Sequence, residues 1–167
     1  MTATRRAGTA RPQQPERQTA SDDRELLIVR TFDAPRALVW RAWTEPARMA
    51  QWMSPAGFTI PFNEGDLRPG GAWRAQMRTA EGEILHLAGV YREIAPPERL
   101  VFTHAWTDED GKPGPETLVS VTLAERDGKT VMTFRQSGFS STESRDGHGG
   151  GWTECFDKLD ELLATGG

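Results

Sequence analysis

Few side chains in this sequence have the chemistry of a reactive site, and they are scattered. His86, His104 and His148 lie in three separate segments, and none has a neighbour at metal-ligand spacing. A zinc centre needs three or four ligands and a supporting shell, so neither a metal nor a cofactor is expected. His86 and His104 fall in successive extended segments. If Val90 pairs with His104, the two imidazoles sit on adjacent strands, offset along them. His104 reads first as a satisfied or surface histidine; the alternative is a polar handle or general base facing an interior space. His148 belongs to Asp146-Gly147-His148, near one mouth of such a space, and is expected to be exposed. The single cysteine, Cys155, excludes an internal disulfide and a CxxC pair. It falls on an apolar stripe and reads as a small buried hydrophobe rather than a reactive thiol. No serine–histidine–acid set is legible, and Gly147–Gly151 lacks the strand and lysine of a phosphate-binding loop. No catalytic residue is assigned.

The aromatic content is the stronger signal. Six tryptophans are many for 167 residues, and most must be core, because each buries a large area. A cavity lined by Trp and Met can also hold a planar apolar molecule. The candidate lining is Trp52, Trp73, Met77, His104, Trp106, Phe134, Trp152, Phe156 and Leu159. Arg74, Arg92 or Gln136 would supply a polar anchor if one of them points inward.

These residues need elements to position them. Trp152, Cys155, Phe156, Leu159, Leu162 and Leu163 recur at helical spacing and predict a closing helix with one apolar face. Glu154, Asp157, Lys158, Asp160 and Glu161 face water, with Glu154 and Lys158 in the favourable i,i+4 order. Ser140 with Glu143 fits a capping box at its start. Gly147, Gly149, Gly150 and Gly151 each cost a helix about 1 kcal/mol relative to alanine, so the helix either kinks there or begins near Trp152. Ahead of it, Glu25–Phe32 alternates as a strand. Asp33-Ala34-Pro35 then starts a helix whose apolar face is Leu38, Val39, Ala42 and Trp43. Thr44 reads as the N-cap of a second short helix, with Met49 and Trp52 facing inward. Six extended segments follow: Phe58–Leu67, an edge or irregular strand because of Pro61, then Ala72–Arg78, Ile84–Ile94, Leu100–Trp106, Thr117–Ala124 and Thr130–Gln136. Asp127-Gly128 is a strong hairpin signal. Short turns imply an antiparallel sheet, and clean alternation implies that one face is covered. The closing helix is the natural cover. The turns Asp66–Gly71 and Pro96-Pro97-Glu98-Arg99 read as structural, the latter with Glu98 and Arg99 paired locally.

Several motifs occur in order: Asp33-Ala34-Pro35 with Val39-Trp40, Ala42-Trp43-Thr44, Pro46 and Trp52; Asp66-Leu67-Arg68-Pro69-Gly70-Gly71; Gly89-Val90-Tyr91 with Glu93, Pro96-Pro97-Glu98-Arg99-Leu100 and Phe102-Thr103; and Gly151-Trp152 with Leu159 and Leu162. From Glu25 to Ala164 the chain resembles bacterial proteins related to the C-terminal domain of the activator of the ninety-kilodalton heat-shock protein ATPase. That group belongs to the SRPBCC, or START-like and birch-pollen-allergen-like, superfamily. The resemblance implies an α+β helix-grip fold. A curved seven-stranded antiparallel sheet wraps a long C-terminal helix, two short helices follow the first strand, and an apolar cavity often lies between sheet and helix. Superfamily members carry lipids, sterols, hormones or polyketides, and some are cyclases, aromatases or dehydratases. Fold therefore constrains function weakly.

Composition sets outer bounds. With 37% hydrophobic and 26% charged residues the chain is globular rather than disordered. Its formal net charge of −4 makes nucleic acid a poor partner, and no apolar run is long enough for a membrane span. Residues 1–24 read as a flexible tail and 25–165 as one domain. Without a signal-peptide core, a cytoplasmic location is expected. A monomer or weak homodimer fits. The expected function is non-catalytic binding of a small apolar or aromatic molecule, as carrier or sensor. The alternatives are a cyclase- or hydrolase-type enzyme on an aromatic ligand, and a co-chaperone stimulating a heat-shock ATPase.

Overall fold

The computed structural model describes residues 24–166; the tail expected over 1–24 lies, but for Arg24, outside the described residues. The chain runs β1 (Leu26–Phe32), α1 (Arg36–Thr44), α2 (Pro46–Trp52), β2 (Thr59–Gly65), β3 (Ala72–Arg78), β4 (Ile84–Ala95), β5 (Arg99–Thr107), β6 (Thr117–Arg126), β7 (Lys129–Ser137) and α3 (Thr142–Ala164). All strand pairs are antiparallel, in the spatial order β1-β7-β6-β5-β4-β3-β2. Every neighbour but β1 is also a neighbour in sequence. Tight turns account for this, as at Asp127-Gly128, where both residues have positive φ. β2 is an edge strand with a register shift between Thr59 and Phe62, where Pro61 cannot donate to a ladder. This is the helix-grip arrangement.

One half of the sandwich is packed solid. Phe32, Val119, Val121, Met132 and Phe134 from β1, β6 and β7 meet Val39 and Trp43 of α1 and Phe156 and Leu159 of α3. Trp43 is the hub. Its ring lies 4.8 Å edge-on from Trp52, 6.3 Å from Phe134 and 6.1 Å from Trp152. Its Nε1 is the one buried side-chain polar atom without a hydrogen-bond partner among the described residues.

Three local expectations are corrected. Thr44 does not cap α2. It is the last residue of α1, and its hydroxyl donates back to Trp40 O at 2.9 Å; the α2 N-cap is Glu45, without a side-chain cap bond. The α3 cap is Ser141 rather than Ser140, its hydroxyl accepting from Ser144 N–H at 3.0 Å. Glu98, in the turn, and Arg99, the first residue of β5, pair elsewhere, with Arg36 at 3.7 Å and Glu93 at 3.1 Å.

The glycine segment is settled in favour of one continuous helix of 23 residues. Packing on the sheet offsets the poor propensity. Gly150 is exposed, and a β-carbon there would meet nothing within 4 Å. Gly150→Ala is therefore expected to stabilise the protein by up to about 1 kcal/mol, read as a melting temperature raised by roughly 2–4 °C. A lowered melting temperature would mean that the helix is not formed at this position.

Candidate functional site

The other half of the sandwich is not filled. A cavity of about 420 Å3 lies between β3–β5 and the first half of α3. Strand alternation aims Trp73, Ala75 and Met77 of β3, Leu85 and Leu87 of β4, and Phe102, His104 and Trp106 of β5 into it. α3 supplies Ser144, Gly147, His148, Gly151, Trp152 and Cys155 from the opposite side, and Met53, Pro55, Phe58 and Ile60 close the rim. Gly147 and Gly151 are four apart on one helix face, so the wall there is bare backbone. Where the same face continues as Phe156 and Leu159, large side chains fill the gap. The glycines thus decide where the interior is hollow.

Of the residues anticipated for the lining, Trp73, Met77, His104, Trp106 and Trp152 do face the cavity. Trp52, Phe134, Phe156 and Leu159 do not; all four are fully buried in the packed half. Sequence reasoning missed Met53, Pro55, Phe58 and Ile60, which come from the α2–β2 connection and the edge strand, where apolar periodicity is weak. It placed His148 near a mouth of the cavity but left it out of the lining.

His148 is half-buried in α3 rather than exposed. Trp106 Nε1 donates to its Nε2 at 2.9 Å, and its Nδ1 lies 2.8 Å from Ser144 O. An Nε2 that accepts must be unprotonated, so the proton sits on Nδ1 and is donated to Ser144 O. Both ring nitrogens of the neutral imidazole are thereby committed. A signal was present in the i−4 spacing of Ser144, but the Trp106 partner comes from a distant strand.

His104 is only 6% exposed, and its ring lies 5.9 Å from Trp73, 5.7 Å from Trp106 and 6.4 Å from Trp152. Its imidazole is pushed down to about 4, chiefly by burial and secondarily by the nearby His148. The pairing expected between Val90 and His104 gives way to a local break. Val90 N–H donates to the Thr103 hydroxyl at 2.8 Å, and Trp73 Nε1 reaches across to Thr103 O at 3.1 Å. His86 pairs with Thr107 and alternates with the cavity-facing Leu85 and Leu87, so it lies on the other face of the sheet and is no partner for His104. Among the described residues no group of three or more potential metal ligands occurs.

The expected acid sensitivity follows from His104. An unfolded histidine takes up a proton near pH 6.5, whereas the folded one does so only near 4. Between these values the unfolded chain binds more protons, so stability is fully present above 6.5 and falls as pH drops toward 4. The loss reaches about 3 kcal/mol. Urea titrations of the wild type and His104→Phe across this window should show a shallower acid slope in the variant.

The other candidate anchors are occupied or turned away. Gln136 is fully buried and takes Trp152 Nε1–H on its Oε1 at 2.8 Å while donating from Nε2 to Thr117 Oγ1 at 2.9 Å. The Thr117 hydroxyl then donates to His104 O at 3.0 Å. Arg74 pairs with Glu64 at 2.7 Å, and Arg92 is exposed. Cys155 lines the cavity, its thiol pushed up to about 12, mainly by burial, so it is no nucleophile at neutral pH. Glu154 and Lys158 do not pair with each other. Glu154 accepts from Ala56 N–H at 3.0 Å, and Lys158 donates to Ser54 Oγ at 3.0 Å and Phe58 O at 3.1 Å. Both pin the rim loop that carries Met53, Pro55 and Phe58. The Asp66–Gly71 turn is stapled to β4 by Gly70 N–H to Tyr91 O at 2.8 Å and Tyr91 N–H to Gly71 O at 2.9 Å, a structural role. No helix among the described residues is long and apolar enough to cross a membrane.

Comparison with known proteins agrees with this geometry. The family described as "Activator of Hsp90 ATPase homolog 1-like protein" matches residues 33–164. An Arthrobacter aurescens protein solved by NMR is 25% identical with a TM-score of 0.80, covering 87% of this chain and 90% of its own. The AHSA1 protein of Silicibacter pomeroyi is 27% identical with a TM-score of 0.77, over 86% of this chain and 99% of its own. A Nitrosomonas europaea protein is 26% identical with a TM-score of 0.75, over 87% and 97%. No protein with a curated description matches this chain. With the family match spanning nearly all the described residues and the architecture shared, the chain belongs to the activator of Hsp90 ATPase homolog 1-like (AHSA1) family, within the SRPBCC superfamily.

Proposed function

We propose that this protein binds a small apolar or aromatic molecule in the cavity between β3–β5 and α3, as a carrier or sensor rather than a catalyst. The observation that carries the reading is the cavity itself. Its volume of about 420 Å3 lies within the ~300–1,000 Å3 of pockets that bury whole small molecules. Its lining is aliphatic and aromatic apart from His104, His148, Ser144 and Cys155. Native mass spectrometry of protein purified from its own host should show a co-purifying small molecule. In parallel, Gly151→Leu places a side chain on the bare wall and should abolish uptake of naphthalene while leaving the fold intact. Unchanged naphthalene binding in Gly151→Leu would place the ligand elsewhere.

A second reading, catalysis on an aromatic ligand, draws support from the buried His104, since a polar group with a perturbed pKa deep in a cleft is a functional-site feature. Against it, no carboxylate lines the cavity to orient the imidazole, and a ring protonated only near 4 is a weak base. Turnover lost in His104→Ala would favour catalysis. A co-chaperone role rests on the family description alone, and stimulation of a heat-shock ATPase in a steady-state assay is its test.

A further inference from the structure

Of the nitrogen-bearing rings on the cavity wall, only that of His104 is hydrogen-bonded by no other described residue. Trp73 Nε1 donates to Thr103 O, Trp106 Nε1 to His148 Nε2, and Trp152 Nε1 to Gln136 Oε1. His148 uses its remaining nitrogen on Ser144 O. Among the described residues, no other residue hydrogen-bonds the His104 ring. Its backbone, by contrast, is held firmly through Thr117 and Gln136. The imidazole is therefore fixed in place among tilted and edge-on indoles and lines the cavity, with one ring nitrogen turned to its own backbone and the other bonded by no other described residue. The half-buried Ser144 hydroxyl is the other free polar group, but it sits in the first turn of α3, where it can rotate to water.

Charge completes the specification. No Lys, Arg, Asp or Glu lines the cavity, and burying an ion without a partner is costly. We propose that the cavity selects a neutral, planar aromatic molecule bearing a hydroxyl group, which seats on the His104 imidazole, and that it rejects the corresponding carboxylate. This deepens the binding reading above and rests on it. A neutral imidazole has one N–H and one bare nitrogen; with the N–H turned to the residue's own backbone, the bare nitrogen accepts the proton of a phenolic hydroxyl. The depressed pKa of His104 is consistent with a ring that stays neutral at pH 7.

The test is isothermal titration calorimetry at pH 7 with 2-naphthol, naphthalene and 2-naphthoate. These share a ring system and differ only in the polar group. Wild-type protein should bind 2-naphthol about tenfold more tightly than naphthalene, the yield of one buried hydrogen bond, and bind 2-naphthoate least. His104→Phe should lower 2-naphthol affinity to that of naphthalene without weakening naphthalene, and His104→Gln should keep part of the preference. If His104→Phe does not fold, the wild-type series and His104→Gln carry the test. Naphthalene bound as well as 2-naphthol by the wild type overturns the assignment while leaving the cavity reading intact, as does a 2-naphthol preference that survives in His104→Phe. Failure of all three probes to bind overturns both.

Discussion

Gly89→Ala is expected to cost about 3 kcal/mol or more, seen as a large drop in the urea midpoint. A β-carbon at Gly89 would overlap the Thr103 carbonyl and press on Trp73 Nε1. Neither can yield cheaply. The carbonyl belongs to the central strand β5, and the indole lies across the glycine to donate to that same oxygen at 3.1 Å. Overpacking against backbone in a well-packed interior costs 1–3 kcal/mol when side chains can shift and more when they cannot. The functional consequence is coupled: Trp73 lines the cavity, so displacing its indole closes part of the volume. A folded Gly89→Ala protein should bind naphthalene more weakly than the wild type. A stable variant with an unchanged urea midpoint would show that the indole does not lie over the glycine.

Gln136→Leu is expected to cost about 2–4 kcal/mol, for a different reason. Gln136 is fully buried and joins α3 to the sheet through Trp152 on one side and Thr117 on the other. Leucine matches its bulk but neither accepts nor donates. The Trp152 N–H would then be orphaned in a dry interior, at about 1–3 kcal/mol. Thr117 suffers less, because its hydroxyl keeps His104 O as acceptor. The lost hydrogen bonds add to this, and a buried network can be worth more than the sum of its pairs. Trp152 lies against the cavity, so a freed indole should also alter the near-ultraviolet circular dichroism. Gln136→Leu as stable as the wild type would mean that the indole N–H finds another partner.

Both predictions concern features a sequence cannot place. Gly89 stands in a strand that alternates normally, and nothing local says that an indole from the neighbouring strand crosses it. Gln136 is one polar residue at the end of the inward row of β7, and its partners lie 16 and 19 positions away. His148 was misjudged for the same reason. Its i−4 bond is local, but the one that fixes its tautomer reaches 42 positions back to Trp106.

What the sequence determined by itself is the scaffold. Periods of two and of 3.6 residues, with Pro-Gly-Gly and Asp-Gly at the reversals, specify seven antiparallel strands, two short helices and a closing helix, because backbone geometry ties side-chain direction to position. The inward faces were legible at the same level, including His104 and Trp152. Only the tertiary structure decided which inward residues touch one another and which border empty space. Trp152 and Phe156 share one helical stripe, yet one meets the cavity and the other is sealed in the core. That division depends on how far α3 stands from each strand, and the bare backbone at Gly147 and Gly151 keeps the gap open where bulkier residues further along close it.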